Sequence, residues 1–325
     1  MGTVLKFLCK AIIAIIALVL ILVLLAWGGT NIAKFAIYSD YYAKESEICT
    51  NPGLNDGFVC QGICVSEDYG KILVSGYMDD DSNSRIYVTD IETDRSYYIQ
   101  LKRNGKTFTG HSGGIATSGD TVYLASGSKL YILSLYDILT ANNGDVFDIG
   151  SGVPVNNAAS YVFCDEEYIY VGDFFHTTKT YFKEYTLDDG ETKVNALISR
   201  YRHSDFIAYT GENAPTPDKI YSVIPKVQGV CFTPDGRIVF STSLSIAHSV
   251  FYVYNEADTT DSGNTLNGVP IYVLGNCTDE FIGPAMSEDL DYYDGKVITL
   301  FESASNKYIF GKFFFANDII GLYIK

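Results

Sequence analysis

Residues 227–241 read VQGVCFTPDGRIVFS: a short apolar run, a tight Pro-Asp-Gly turn, then a second apolar run. Val, Ile, Phe and Cys suit a half-buried pleated surface, and Asp-Gly between two such runs signals a β-hairpin. The same unit recurs four more times. The copies begin at Gln61, Gly113, Ser160 and Glu288, with Gln228 opening the copy quoted above. Their second runs are Ile72–Ser75, Val122–Ala125, Ile169–Gly172 and Val297–Leu300, matching Ile238–Ser241.

Further strand-like runs follow the hairpins at Arg85–Thr89, Tyr97–Leu101, Lys129–Leu133, Tyr181–Tyr185 and Val250–Tyr254. Beyond residue 55 no long stretch carries a helical period. Four antiparallel strands repeated radially make a β-propeller blade, so the chain reads as an all-β, five-bladed propeller over residues 57–325, with six blades as the alternative. The final strands are expected near Tyr308–Phe315 and Ile319–Ile324. Residues 30–56 then either donate a closing strand or form a stalk.

Ahead of the repeats, Ala11–Trp27 holds 17 residues without a polar side chain. As a helix this run spans ~25 Å, the lower limit for crossing a bilayer. Lys6 and Lys10 precede it, which predicts a cytoplasmic N-terminus (residues 1–10), a transmembrane signal-anchor (11–29) and an extracytoplasmic propeller. The run is longer than a signal-peptide core, and Leu25–Gly29 is a poor cleavage site. Outside the cytoplasm disulfides are permitted, and Cys49 with Cys60 or Cys277 is the one pairing expected. Cys64 and Cys231 fall at equivalent repeat positions and read as small buried hydrophobes.

The chain has 23 basic and 39 acidic residues, net −16. Residues 1–30 hold Lys6, Lys10 and no acid, leaving 21 basic against 39 acidic residues beyond them, a net −18. Such a surface repels phosphate backbones and excludes a nucleic-acid partner. No P-loop, dinucleotide fingerprint, nucleophile elbow or zinc-protease motif is present.

In a propeller the first strand of each blade starts, and the second ends, at one mouth of the central channel. The register places Gln61, Ser160, Gln228 and Glu288 there, with His111 and Lys226 two residues before their anchors and Asp173 and Glu302 at the ends of second strands. These eight are the candidate binding residues. His111, Lys226, Asp173, Glu288 and Glu302 each occur in one blade only, which a purely structural repeat does not require. Glu288 and Glu302 suit a carboxylate pair and His111 a base, making these three the catalytic candidates. Asp79, Asp80 and Asp81 follow strand two of the first blade. With Asp173 they are the candidate metal ligands, of a type suited to Ca²⁺, although the run lacks the EF-hand pattern and also reads as a solvated turn. Tyr201–Pro225 reads as a long inter-blade connection able to act as a lid over the mouth.

Gly110-His111-Ser112-Gly113-Gly114-Ile115-Ala116 resembles the H-x-G-G-I-A strand of extracytoplasmic bacterial β-propeller proteins. Val227–Val230, Tyr170–Phe174, Met286-Ser287-Glu288 and Leu300–Ala304 resemble their other signatures. The resemblance covers residues 57–311 and implies fold and location without an activity. More distantly the chain is similar to gluconolactonase and regucalcin-like propellers, which bind a channel metal with Glu, Asn and Asp. Glu288 and Asp173 match that set; Asn ligands are missing. The functional expectation is a membrane-tethered module binding an extracellular small molecule, glycan or protein at the mouth. A sugar or lactone hydrolase or lyase, and a scaffold of an envelope assembly, are the alternatives.

Overall fold

The computed structural model describes residues 2–177, 184–308, 310–313 and 316–324. Five antiparallel sheets surround one axis, and their innermost strands are the five repeat anchors: Phe58–Ser66, Gly114–Ser118, Tyr161–Cys164, Val227–Phe232 and Ser287–Tyr293. Each pairs with the second strand of its hairpin, as the repeat predicts. Each inner strand packs against the next, and the fifth packs back on the first, closing a ring of five blades.

The hairpin turns explain themselves locally. In blade 5, Asp294 and Gly295 both take positive φ (48° and 76°), the combination a two-residue hairpin of matching twist needs. Blade 3 lacks the glycine. There Asp165 Oδ1 accepts from the backbone N–H groups of Glu167 and Tyr168 at 2.8 and 2.7 Å, and the side chain holds the turn instead.

The structure decides one open alternative and changes two sequence expectations. The fourth strand of blade 5 is N-terminal: Glu45–Thr50 pairs antiparallel with Asp318–Leu322, so residues 30–56 supply the closing strand. Of the strand expected over Tyr308–Phe315, the described part is a 3-10 turn, Phe310–Phe313. In blade 3 the expected strand Tyr181–Tyr185 lies largely outside the described residues. The third strand is Leu197–Arg202 and the fourth Lys219–Ser222, so Tyr201–Pro225 is part of the blade and not an inter-blade connection. Its irregular part joins strand three to strand four at the end opposite the mouth, where it cannot cover the site. Polar and aromatic residues in Leu197–Arg202 conceal the strand; Arg200 shows why they are tolerated, because it faces outward onto the Tyr168 ring and Asp218.

Two excursions tie blades together. Val146–Asp148, from blade 2, adds in parallel to the outer strand of blade 1, and the hairpin Thr260–Leu266/Val269–Val273, from blade 4, adds to blade 3. Both cover edge backbone that would otherwise stand unpaired.

The N-terminal helix runs Gly2–Ile37, ten residues past the end of the apolar run. Its length and composition suit a membrane span, and its apolar side chains from Val4 to Leu25 are exposed. It does not lead into a loose stalk. Tyr38 and Tyr41 are fully buried against the propeller; Tyr41 stacks on Phe251 and meets Phe301 edge-on. Tyr38 Oη bonds His248 Nδ1 at 2.8 Å.

All seven cysteines are free thiols, so the suggested Cys49 pairing is not formed. Cys60 Sγ instead accepts from Asn51 Nδ2 at 3.1 Å, beside the buried Phe301 carbonyl. Cys64 and Cys231 are buried, as their repeat positions predict.

Candidate functional site

The blades meet tightly on the axis. A Cβ on Gly62 would lie 2.7 Å from Ile115 N, and one on Gly229 would lie 2.5 Å from Asp289 Cα, so both positions exclude a side chain. Asp289 fills the centre. Its Oδ2 accepts from Ile63 N (3.4 Å) and Ile115 N (3.3 Å), on two other blades. Burial pushes this carboxyl well above its ordinary range, against the opposing pull of the backbone N–H groups. The channel expected from sequence is therefore plugged by Asp289, and the candidate residues lie on the mouth side of the plug.

Four of the eight predicted binding residues come together there. Glu288 stands on the inner strand of blade 5 and Glu302 opens the 3-10 turn Glu302–Ala304 just after its second strand, both next to the register pair Ser287–Phe301. Gln61, from blade 1, donates through Nε2 to Glu302 Oε2 at 2.9 Å. His111, from blade 2, is 3.3 Å from Gln61 Oε1 through Nδ1, which places the proton on Nδ1 if that contact is a hydrogen bond to the amide oxygen. The amide thus links imidazole to carboxylate across three blades. His111 is an exposed residue, but its ring packs on Tyr77 with centroids 4.3 Å apart. Desolvation, then the Lys307 charge, lowers its pKa and favours the neutral ring.

Both acids are perturbed upward. Burial raises Glu302 to about 7, opposed by Tyr308, Lys307 and Gln61. Burial drives Glu288 well above its ordinary range, with the charges of Glu302 and Asp289 adding to the effect. Burial therefore favours the protonated form of both carboxyls, and the Glu302 charge adds to that effect on Glu288.

Ser160, Asp173, Lys226 and Gln228 lie at the mouth ends of blades 3 and 4 and bond to neighbours within those blades. Ser160 N donates to Gly172 O at 2.9 Å, and Gln228 Nε2 to Ser243 Oγ at 3.1 Å. Asp173 is buried and accepts from Tyr185 Oη at 2.6 Å. Lys226 is exposed, and its backbone N–H bonds Phe175 O at 2.9 Å. Asp79, Asp80 and Asp81 are exposed on a mouth-side loop, where Asp80 Oδ1 accepts from Ser82 N at 2.9 Å. Among the described residues no three His, Cys, Asp or Glu side chains are grouped to hold a metal. Glu288 and Asp173, the pair matching the metal-binding propellers, stand on blades 5 and 3 and belong to no such group.

Three neighbours were not singled out by sequence. Lys307 Nζ donates to Tyr77 Oη at 2.8 Å, and Tyr77 Oη lies 3.1 Å from Tyr308 Oη. Tyr77 follows Gly76, the residue the strand register selects. Lys307 and Tyr308 sit on the connection after strand two, a class of loop that covers a propeller mouth, and this was the available signal.

No family model matches the chain, and no curated protein matches it. Among solved structures, the PQQ-bound aldose sugar dehydrogenase of Streptomyces coelicolor is similar over 86% of this chain and 98% of its own, with 14% identity and TM-score 0.49. An oxidoreductase described as a glucose dehydrogenase, from Thermus thermophilus, is similar over 86% and 99%, with 12% identity and TM-score 0.43. A protein of unknown function from Bacteroides thetaiotaomicron is similar over 86% and 75%, with 14% identity and TM-score 0.41. The propeller assignment itself rests on the sheet order and registers given above.

Proposed function

We propose that this chain is a membrane-tethered β-propeller whose mouth binds a neutral, hydroxyl-rich small molecule outside the cytoplasm. The convergence of Gln61, His111, Glu288 and Glu302 from three blades carries the proposal. An amide, a neutral imidazole and two carboxyls that burial biases toward the protonated form offer donors and acceptors side by side, the pattern that vicinal hydroxyl groups satisfy. The acids disfavour an anionic ligand. The apolar helix supports the tether, and Lys6 and Lys10 before it support a cytoplasmic N-terminus.

Calorimetric titration of the full-length protein in detergent with a panel of neutral sugars and polyols tests this. Saturable binding that Gln61→Ala weakens at least tenfold supports the reading; a panel without any binder, or binding indifferent to Gln61 and Glu302, refutes it.

One observation favours turnover as a second reading. A carboxyl with a pKa of about 7 beside another carboxyl is the arrangement a general acid requires. Release of a chromophore from aryl glycosides or opening of lactones, lost in Glu302→Gln, would move the protein from binding module to hydrolase or lyase.

A further inference from the structure

The strand registers show which end of the propeller the helix meets. Blade 5 runs from Lys296 to Phe301 at the mouth, and Asp318 starts its third strand at that same end. The described part of the connection between them, residues 302–308, 310–313 and 316–317, is therefore on the mouth side. So is the segment joining Thr50, the end of the closing strand, to Phe58, the start of the first inner strand. The hairpin turns, such as Glu67–Gly70, lie at the opposite end.

The helix packs beside Phe310–Phe313, and Trp27 shares a cavity of about 720 Å³ with Asn51–Asp56, Ala304 and Asn317, all mouth-side residues. Trp27 closes the apolar run. Tryptophan at that position marks the membrane–water boundary. The boundary thus falls at the level of the mouth rim itself, although ten further helical residues, ~15 Å at 1.5 Å each, were available to hold the propeller away from it. Large apolar side chains are exposed on this side: Ile32 (77%), Phe310 (72%) and Phe35 (58%).

We infer that the propeller lies mouth-down on the bilayer that holds its helix, with Phe310 in the headgroup region. The inference rests on the membrane reading of that helix. The occupant of this face is a zwitterionic phospholipid surface, because a domain carrying −18 is repelled by an anionic one. The Gln61–Glu302–His111 cluster then faces the lipid interface, and its ligand is one that approaches along the membrane.

Trp27 is the sole tryptophan, which makes the test direct. Full-length protein is reconstituted in phosphatidylcholine vesicles, with a fraction of the lipid brominated near the headgroup end of its chains. Three forms are compared: wild type, Trp27→Phe with Phe310→Trp, and Trp27→Phe with Tyr69→Trp. Tyr69 is exposed in a turn at the opposite end, and both introduced tryptophans replace exposed aromatics, so folding is retained. Bromide quenching and a blue shift at position 310, with neither at position 69, are expected. Quenching of Trp27 without quenching at 310 overturns the mouth-down placement and leaves the anchor standing. Equal quenching at 310 and 69 overturns it as non-specific adsorption. An unquenched Trp27 overturns the membrane reading and this inference with it.

Discussion

Replacing Glu302 by Gln isolates the electrostatic cost at the mouth. The amide keeps the shape of the side chain and an acceptor oxygen for Gln61 Nε2. The carboxyl titrates at 4.5 in the unfolded chain and at about 7 in the folded one. Below 4.5 both states hold the proton, and wild type has its full relative stability. Between 4.5 and about 7 the unfolded state ionises while the folded state does not, so unfolding becomes easier as pH rises. The loss accrues at up to ~1.4 kcal/mol per pH unit, or roughly 3 kcal/mol across the window. Above it the difference levels off. Removing the Glu302 charge also eases ionisation of Glu288, which adds to the difference in the same direction. Urea unfolding followed by circular dichroism, at pH values from below 4.5 to above 7, measures it. Glu302→Gln gains on wild type through the window and is the more stable protein above it. A flat difference, or a variant that falls behind as pH rises, would show that Lys307 and Tyr308 stabilise the anion by more than burial penalises it. The upward shift of Glu302 by burial would then be wrong.

Other perturbations probe the framework. Tyr41→Ala removes the ring between Phe251 and Phe301; it should cost about 3–4 kcal/mol and expose the Ser39–Lys44 segment to protease, and unchanged melting with intact protection would contradict the docked helix. Gly229→Ala drives a methyl into the Asp289 backbone and should destabilise by about 1–3 kcal/mol or more, whereas Gly236→Ala, in open space at a turn, should cost only its positive-φ strain. Asp289→Asn keeps an acceptor for Ile63 N and Ile115 N without the charge and should preserve or raise thermal stability at neutral pH; Asp289→Leu leaves both N–H groups unpaired and should lower it by roughly 2–4 kcal/mol.

Local pattern was enough for some features and insufficient for others. The five hairpins were legible because each needs only two apolar runs and a turn, and all five contact sets are nearly sequential. The third strand of blade 3 was not, since its outward residues are arginines whose partners, Tyr168 and Asp218, are brought to it by folding. The closing strand Glu45–Thr50 carries two glutamates and pairs with a segment more than 260 residues away. Nothing within it distinguishes a strand from a stalk.

The candidate site divides in the same way. Repeat register was sufficient to set Gln61, Glu288 and Glu302 at one end of the ring, because strand period alone dictates which residues point to the mouth. It could not separate them from Ser160, Asp173, Lys226 and Gln228, since register states a height along the axis and not which blades' side chains reach one another. The plug at Asp289, the upward shift of the two acids and the loop residues Lys307 and Tyr308 belong to tertiary structure alone: burial and inter-blade distance create them, and neither is a property of any segment taken by itself. The apolar helix and the acidic remainder are evident from composition. That the helix ends against the mouth rim follows only from the packing of Tyr38, Tyr41 and Trp27.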